Sequence, residues 1–251
     1  MTTTCPVLSH TVFEKIRKLD TCTVSNAIER LKARPRNEGS VSGSAVHCMF
    51  PELPPILGYA VTGRMRSTTQ PARGRAYHEN MHWWQYVASF PEPRIMVVQD
   101  ADEFPGAGAL VGELHAEIGG ALHCVGYVTN GSVRDLPAVR AVGFQLFAGI
   151  VSVTHMYAHI AEYGEPVEIG GLTISPGDLM HGDCHGVHLI PFSVASEIPE
   201  KALKILDEER QLVTLCRSPE FSLDRLDKKL LERPRARFEV PLEDGKGPWK
   251  R

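Results

Sequence analysis

Residues 112–135 read GELHAEIGGALHCVGYVTNGSVRD, and this stretch contains the alternation of helix and strand that decides the fold. The pattern predicts a helix over about 112–120, with an acidic residue in its first turn. An apolar strand follows over about 123–129, and Asn130-Gly131 predicts a turn toward Arg134-Asp135. A second helix then begins at Asp135, Gly143 ends it, and a strand over 144–148 completes the unit. The stretch therefore predicts a mixed α/β domain.

The flanking sequence continues this mixture of helices and strands. Residues 9–33 carry helical spacing in two pieces, for which Ser9 and Thr23 are the predicted N-caps. Arg94–Asp100 reads RIMVVQD, a continuous apolar run typical of a strand that is buried on both faces. The other predicted elements are a strand at 57–66, a helix at 78–87, a hairpin at 166–174, strands at 179–183 and 186–191, and a helix at 199–215. We expect one domain over residues 1–216 and a charged arm over residues 217–251.

The composition is that of a soluble globular protein. Of the 251 residues, 43% are hydrophobic and 23% are charged, and the formal net charge is −3. We expect no nucleic-acid partner, because there is no global basic field, and no membrane partner, because no apolar run approaches the roughly 20 residues of a span. The segment MTTTCPVLSH lacks the features of a secretory signal, and the six cysteines include no CxxC pair. A cytoplasmic protein with reduced thiols is expected.

Three charged residues bracket the central strand, and each has a structural explanation of its own. Asp135 could cap the following helix, Arg134 could be a surface charge, and Glu113 suits the positive end of a helix dipole. Their joint placement also suits a ligand site. Carboxylates with open positions are typical of Mg²⁺ or Mn²⁺, and a neighbouring arginine can bind a substrate carboxylate in a bidentate manner. The amides of residues 112–115 would provide a second anion contact.

The stretch GALVGELHAEIGG…GYVTNGSVRDLPAVRAVGFQLFA resembles the signature of the RraA-like family, an acidic residue followed after twenty residues by Arg-Asp. Glu113 and Arg134-Asp135 have this spacing. GLTISPGDLMHGDCHGVHLIP at 171–191 is similar to a later segment of the family, and Thr23–Leu31 resembles its N-terminal helix. The resemblance covers most of residues 20–195. The family includes divalent-metal-dependent 4-hydroxy-4-methyl-2-oxoglutarate aldolases and oxaloacetate decarboxylases.

The resemblance implies a single layered ββα swivelling domain, similar to phosphohistidine domains, with flanking N- and C-terminal helices. It also implies a homotrimer or a dimer of trimers with active sites at subunit interfaces. Asp135 would bind Mg²⁺ or Mn²⁺ directly, and Glu113 would act through metal-bound water. Arg134 would hold a 2-oxo acid and its developing enolate, while amides around Gly112, Leu114 and His115 take the carboxylate. The implied activity is retro-aldol cleavage of a 4-hydroxy-2-oxo acid, decarboxylation of oxaloacetate, or both.

Two other functions remain open. Some members of the family regulate a ribonuclease by protein contact without catalysis. An isomerase or hydratase of a hydroxy acid could also use the same site, because His78–Trp84 departs from the aldolase pattern and the chain is longer around Trp83–Pro93. The acidic residue that some relatives contribute from a neighbouring subunit has three candidates here, Glu200, Glu208 and Glu209.

Histidine is the other unusual feature, with eleven residues in the chain. The pairs His78/His82 and His155/His159 have the i, i+4 spacing of a helical zinc site, although structural roles are favoured. His181 or His185 could reach the pocket as a proton donor. Cys184 lies in a polar turn without an assignable partner, so a nucleophilic thiol is not expected. The GxGxxxG spacing at 106–112 departs from the dinucleotide motif, and no preceding βαβ unit supports that function.

Overall fold

The computed structural model describes residues 5–36, 38–40, 45–71 and 81–232. The α-helices are α1 (His10–Arg17), α2 (Thr21–Leu31), α3 (Met81–Ala88), α4 (Glu113–Ala121), α5 (Leu136–Val142), α6 (Ile198–Cys216) and α7 (Leu223–Leu231). The strands are β1 (His47–Cys48), β2 (Ile56–Arg66), β3 (Arg94–Asp100), β4 (Ala109–Val111), β5 (Cys124–Val128), β6 (Ser132–Val133), β7 (Gln145–Ala148), β8 (Ile150–Val151), β9 (His159–Tyr163), β10 (Val167–Ile169), β11 (Leu172–Ile174), β12 (Leu179–Asp183) and β13 (Gly186–Leu189).

A mixed eight-stranded sheet forms the centre of the fold, in the order β1-β7-β5-β3-β2-β12-β13, with β9 also pairing with β2. Strands β2, β3, β5 and β7 are mutually parallel, whereas β12 runs antiparallel to both β2 and β13. The sheet curls until it is nearly closed. A Cβ added to Gly182 of β12 would lie 2.9 Å from a ring carbon of Phe147 in β7, so strands from opposite halves of the sheet face each other.

Two smaller sheets complete the architecture. Strands β4, β6 and β8 form a parallel three-stranded sheet, and β10 with β11 forms a hairpin. The hairpin closes at Gly170-Gly171, both with positive φ, as the sequence predicts. In the three-stranded sheet, β4 leads into α4 and β6 leads into α5. The pairing of these two strands therefore sets the relative positions of the two helix starts.

The side chains of β2 alternate between two sides of the main sheet, as the geometry of a strand requires. Leu57 and Tyr59 pack into an apolar cluster with residues of α1, α2 and α6. Further along the same face, Val61 and Met65 join a cluster that includes Trp83 of α3. The opposite face packs inside the curled sheet against the hairpin β10–β11. Because both faces are covered, β3 is almost completely buried, as its unbroken apolar run predicts.

The structure confirms the predicted α/β class and most of the predicted elements, with corrections at several boundaries. The N-cap of α2 is Asp20 rather than Thr23, because the Asp20 carboxylate accepts from the amide and hydroxyl of Thr23 at 2.8 and 2.7 Å. Strand β13 ends at Leu189, two residues earlier than predicted. The predicted helix at 78–87 is described from Met81 onward, and its first three residues lie outside the described part of the chain.

The predicted arm over residues 217–251 contains an amphipathic helix, α7, none of whose residues is buried. Residues 233–251 lie outside the described part of the chain, and the boundary at 216 stays a prediction. Among the described helices, none has the length and apolar character needed to cross a bilayer.

Candidate active site

The pairing of β4 with β6 brings two connections of the chain side by side. Val111, the last residue of β4, lies opposite Val133, the last residue of β6, and the Arg134 amide donates to the Val111 carbonyl at 3.0 Å. The residues that follow each strand therefore become neighbours. Gly112 leads from β4 into α4, and Arg134-Asp135 leads from β6 into α5.

The Asp135 carboxylate faces the N-terminus of α4 rather than its own helix. One oxygen, Oδ2, accepts from the Glu113 amide at 3.3 Å, and the other, Oδ1, accepts from Arg134 Nε at 3.1 Å. Asp135 precedes α5 in the left-handed region, with φ of 55°, and its side chain makes no capping hydrogen bond. The simple capping role is therefore wrong. A non-glycine residue in this conformation is uncommon and is often found at functional sites.

Gly112 is required by the close approach of Asp135. A Cβ at this position would lie 2.3 Å from Asp135 Oδ2 and 3.2 Å from Arg134 Cγ. Any larger residue would displace the carboxylate from the helix N-terminus. This contact explains in physical terms why a glycine stands immediately before Glu113.

The remaining predicted residues surround this pair at the start of α4. Glu113 is exposed, and Leu114 is half exposed. The first intrahelical bond of α4 runs from the Ala116 amide to the Gly112 carbonyl, so Leu114 and His115 lie in the first turn of the helix. The His115 ring is buried against Trp84, with ring centroids 4.7 Å apart, so only its main chain can contribute to the site.

Asp100 at the end of β3 supports the site but was not identified from the sequence. Its amide donates to Asn130 Oδ1 at 2.8 Å, and Asn130 Nδ2 donates back to the Asp100 carbonyl at 3.1 Å. The buried carboxylate accepts from the Gly106 amide at 2.7 Å, and burial raises the pKa of Asp100. These bonds fix the turn before β6. The signal in the sequence is a buried strand that ends in Asp, together with the Asn-Gly turn.

Asp102 fixes the neighbouring connection after β2. Its carboxylate accepts from the amide and hydroxyl of Ser67 at 2.7 and 2.9 Å, and from the amide and hydroxyl of Thr68 at 3.0 and 2.8 Å. Burial would raise the pKa of Asp102, but these hydrogen bonds stabilise the charged form, and the pKa is lowered overall. The carboxyl ends of β2 and β3 are thus joined by a buried carboxylate.

The pair His155/His159 does not form a helical zinc site, and the pair His78/His82 lies partly outside the described residues. His155 lies in a loop, where Nδ1 is 2.5 Å from the Ala109 carbonyl oxygen, and His159 belongs to β9, so they do not share a helix. His82 is exposed on α3, and its proposed partner His78 lies outside the described residues.

His181, His185 and His188 belong to strands β12 and β13 and the turn between them. His181 is buried beside His188, with 3.3 Å between their ring nitrogens, and burial lowers the pKa of His181 to about 4 and that of His188 to about 3. His185 follows β12 at the amino end of β2, since Gly182 pairs with Ile56. Arg134 follows the carboxyl end of β5 instead. Neither His181 nor His185 therefore belongs to this site within the chain.

Two of the three candidate acidic residues of α6 have partners within the chain, and Glu209 is partly buried. Glu208 accepts from Arg30 at 2.8 Å through both carboxylate oxygens, and Glu200 pairs with Lys204 at 2.7 Å. The contribution of an acidic residue by a neighbouring subunit stays a prediction. In residues 5–36, 38–40, 45–71 and 81–232, one group of three or more metal-ligating residue types lies close together, at Asp183, Cys184 and His185. No partner of Cys184 could be assigned from the sequence, but its Sγ lies 3.4 Å from His185 Nδ1.

The fold and the site define a mixed α/β domain with carboxylate and guanidinium groups beside a helix N-terminus. Residues 21–189 match the family described as RraA-like, Aldolase/RraA. The chain belongs to the RraA-like family, as its motifs predict. A protein of Halalkalibacterium halodurans named "Putative 4-hydroxy-4-methyl-2-oxoglutarate aldolase" is 32% identical over 97 residues, which are 38% of this chain and 46% of that protein. The chain thus spans less than half the length of that curated relative.

Solved structures share the fold. An uncharacterized protein from Pseudomonas syringae pv. tomato has a TM-score of 0.67 and 21% identity, covering 88% of this chain and 99% of that one. Streptomyces coelicolor RraAS2, described as an unusual member of the RNase ES inhibitor RraA protein family, has a TM-score of 0.63 and 21% identity, covering 82% of this chain and 96% of that one. At this identity the likeness concerns the fold alone, and it confirms the predicted swivelling-type α/β domain.

Proposed function

We propose that this chain is a divalent-metal-dependent lyase that cleaves a C–C bond of a 2-oxo acid. The reaction is retro-aldol cleavage of a 4-hydroxy-2-oxo acid, decarboxylation of oxaloacetate, or both, since each reaction develops negative charge on the 2-oxo oxygen. The observation that carries the proposal is the placement of Arg134 and Asp135 against the N-terminus of α4. Membership of a family described as Aldolase/RraA supports it.

The donor groups fit a hard divalent cation, Mg²⁺ or Mn²⁺. Asp135 offers a partly exposed carboxylate, and Glu113 offers another in the first turn of α4, where it can act through water. Mg²⁺ prefers one or two carboxylate ligands, with water molecules in its other coordination positions. When bound, the ion would supply a Lewis acid for the 2-oxo group. We propose Asp135 as the direct ligand and Glu113 as the ligand that acts through water.

The chain's own cationic and amide groups would bind the anionic parts of the substrate. Arg134 contacts Asp135 through Nε, so the edge formed by its terminal nitrogens is oriented for a carboxylate or a charged 2-oxo oxygen. The amides around Gly112, Leu114 and His115 would take the substrate carboxylate, because they lie at the N-terminus of α4, where a helix favours an anion. Arg134 would thereby stabilise charge that develops during cleavage.

The experiment is an assay of pyruvate release from oxaloacetate and from 4-hydroxy-2-oxo acids, with Mg²⁺ or Mn²⁺. We expect release that EDTA abolishes and that either added metal restores. Asp135→Asn keeps the size of the side chain but removes its charge, so this variant should lose the metal-dependent release. Release that is absent with every substrate, or that is insensitive to EDTA, would contradict the proposal.

The main alternative is a non-catalytic regulator of a ribonuclease. Recovery of a ribonuclease in a pulldown, combined with no turnover of any 2-oxo acid, would favour it. An isomerase or hydratase depends on a pocket wall that differs from the aldolases at His78–Trp84. In the described part of that segment, Trp83 and Trp84 are buried in the core beside α4, so the difference at these two positions lies in packing.

We also propose that the chain acts as a homotrimer or a dimer of trimers, with the site close to a subunit interface. Strand β8, which pairs with the site-bearing β6, exposes Ile150 and Val151, and the following Val153 is 91% exposed. Exposed apolar groups in a row are typical of association surfaces. Light scattering of the full chain should give a trimeric or hexameric mass, and Val153→Asp should reduce it. A monomeric wild-type chain would exclude this assembly.

A further inference from the structure

Two buried histidines face each other across the β12–β13 hairpin. His181 and His188 are paired in the antiparallel register, and 3.3 Å separate His181 Nδ1 from His188 Nε2. The exposed fraction is 0% for His181 and 4% for His188. Within the described part of the chain, His188 Nδ1 is buried and has no hydrogen-bond partner. The proposed lyase reaction uses neither imidazole.

Helix α2 is joined to the hairpin on both sides of this pair. At the start of α2, the Thr21 amide and hydroxyl donate to the Asp183 carboxylate at 2.8 and 2.6 Å. Beyond the end of α2, Arg34 donates to the Leu189 carbonyl at 2.7 Å. In the ladder of the hairpin, the histidine pair lies between Asp183 and Leu189. Side chains two residues apart on a strand point to the same side, so the His181 ring lies on the same side as Asp183. The imidazoles therefore lie within the contact between α2 and the hairpin.

Burial keeps both rings neutral, although carboxylates lie nearby. It lowers the pKa of His181 to about 4 and that of His188 to about 3, because a charged ring would lose its hydration. The charges of Asp183 and Asp20 oppose the lowering of the pKa at His181. At His188, the other imidazole and the Arg34 guanidinium lower the pKa further, and Asp183 opposes them. The two rings are thus uncharged in the folded protein at pH 5.

We propose that the His181–His188 pair is an acid-sensitive latch, which releases α2 from the β12–β13 hairpin when the rings become exposed and take up protons from water. The closed contact holds two neutral rings away from water, beside the Arg34 guanidinium. Opening the contact returns both rings to water, where an ordinary histidine has a pKa of about 6.5. Acid therefore favours the open contact.

Because the pKa of each ring is lowered in the closed contact, the stability of that contact is complete above the ordinary value of about 6.5 and is lost as the pH falls below it. At pH 5 an exposed ring is charged and a buried ring is not. Relative to pH 7, each ring therefore shifts the opening equilibrium by about 20-fold, and both rings together shift it by about 400-fold. Asp20 and Asp183 contribute little over this range, because the pKa of each carboxyl is lowered in the folded state and is about 3.9 when unfolded.

The experiment is amide hydrogen exchange of the full-length protein at pH 7 and pH 5, with the intrinsic exchange rate at each pH divided out. The opening equilibrium of the α2 amides should rise by about 400-fold at pH 5, and it should exceed that of the β5 amides at both pH values. The double variant His181→Asn/His188→Gln places amide groups near the two facing nitrogens and should lose this rise. His188→Gln alone should retain a rise of about 20-fold. His10→Gln, at an exposed histidine of α1, is the matched control and should respond as the wild type does.

Asp135→Asn should respond to acid as the wild type does, because the latch does not depend on the proposed lyase site. An opening equilibrium of α2 that is the same at pH 7 and pH 5 would overturn the latch, and so would a rise that persists in the double variant. Equal opening equilibria of α2 and β5 at pH 5 would also overturn it, because the contact would then open only when the whole chain unfolds. If the double variant does not fold, His188→Gln decides, and the full wild-type rise in that variant would overturn the latch.

Discussion

At the carboxyl ends of β2, β3 and β5 the exposed groups are carboxylates and a guanidinium, whereas at the amino end of β2 they are thiols and an imidazole. Behind each set lies a buried carboxylate that holds two parts of the chain together. Asp102 takes four hydrogen bonds from Ser67 and Thr68, and Asp183 takes two from Thr21. Each end thus has a buried carboxylate that joins two segments of the chain, and the two ends differ in the exposed donor groups beside it.

The two ends are therefore expected to have different roles. Oxygen donors with open positions suit Mg²⁺ or Mn²⁺ and an anionic substrate, while the amino end holds the buried imidazole pair of the proposed latch. The backbone also differs. Asp135 has a left-handed conformation and its carboxylate lies against Gly112, whereas the β12–β13 turn places its only positive φ at a glycine, Gly186. A positive φ at a non-glycine residue thus occurs at Asp135 but not within the β12–β13 turn.

The largest effect is expected from Arg134→Ala, which removes the guanidinium from the carboxyl-end site. The variant should lower kcat/KM for metal-dependent pyruvate release by about 10³-fold, as expected for a group that stabilises developing charge. Stability should change little, because Arg134 is partly exposed and its one side-chain bond runs to the neighbouring Asp135. Steady-state assays of both reactions provide the measurement.

Arg140→Ala is the matched control for that variant. Arg140 lies on α5 six residues after Arg134, and it pairs with Glu52 on the surface. Its loss should leave pyruvate release within about twofold of the wild type, as for a surface ion pair. Equal losses in the two variants would mean that Arg134 acts only through the general charge of this surface.

Asp102→Ala should have the largest effect on stability at the same end of the sheet. The four donors of Ser67 and Thr68 would lose their acceptor, at a cost of about 3 kcal/mol in the free energy of unfolding at pH 7. Because the pKa of Asp102 is lowered in the folded state, its contribution is present above the unfolded value of about 3.9 and is lost as the pH falls through the folded value. Urea unfolding at several pH values measures both quantities.

The neighbouring Glu103→Ala is the control, because Glu103 is exposed. It should change the free energy of unfolding by less than about 0.5 kcal/mol. A stability difference between Asp102→Ala and the wild type that persists unchanged at pH values well below the ordinary carboxyl range would contradict the assigned hydrogen bonds.

Gly112→Ala adds a single methyl group and thereby tests the contact that positions Asp135. Because the new Cβ would lie 2.3 Å from Asp135 Oδ2, the carboxylate must move. A displacement of about 1 Å at a reacting centre costs about 10²-fold in rate. The control is Gly120→Ala on the same helix, where an added Cβ meets nothing within 4 Å. That change should keep full activity and raise stability by about 0.5–1 kcal/mol. Similar activities in both variants would exclude a positioning role for Gly112.

The local parts of the fold could be predicted from the sequence, and the contacts between distant segments could not. The order α4, β5, turn and α5 follows from apolar periodicity, a glycine stop and an Asn-Gly turn, and all are confirmed. Strand β4 was missed because Ala109–Val111 is only three residues long. Its pairing with β6 is nevertheless what brings Gly112 to Asp135. Similarly, no local pattern indicates that Thr21 binds Asp183 across 162 residues.

Thr21→Val is expected to have the smallest effect, and it sharpens the contrast at the amino end. The variant removes the hydroxyl that donates to Asp183 Oδ1 at 2.6 Å but keeps the amide that donates to Oδ2. Losing one hydrogen bond to a charged group should cost about 1.5–2 kcal/mol in the free energy of unfolding. Pyruvate release should stay at the wild-type level, because the hydroxyl lies at the opposite end of the sheet from Arg134.

Thr21→Ser retains the hydroxyl and should restore most of that stability, which separates the hydrogen bond from the packing of the methyl group. A fall in pyruvate release in Thr21→Val would contradict the separation of the two ends. It would mean that the Thr21–Asp183 contact supports the carboxyl-end site through the body of the sheet.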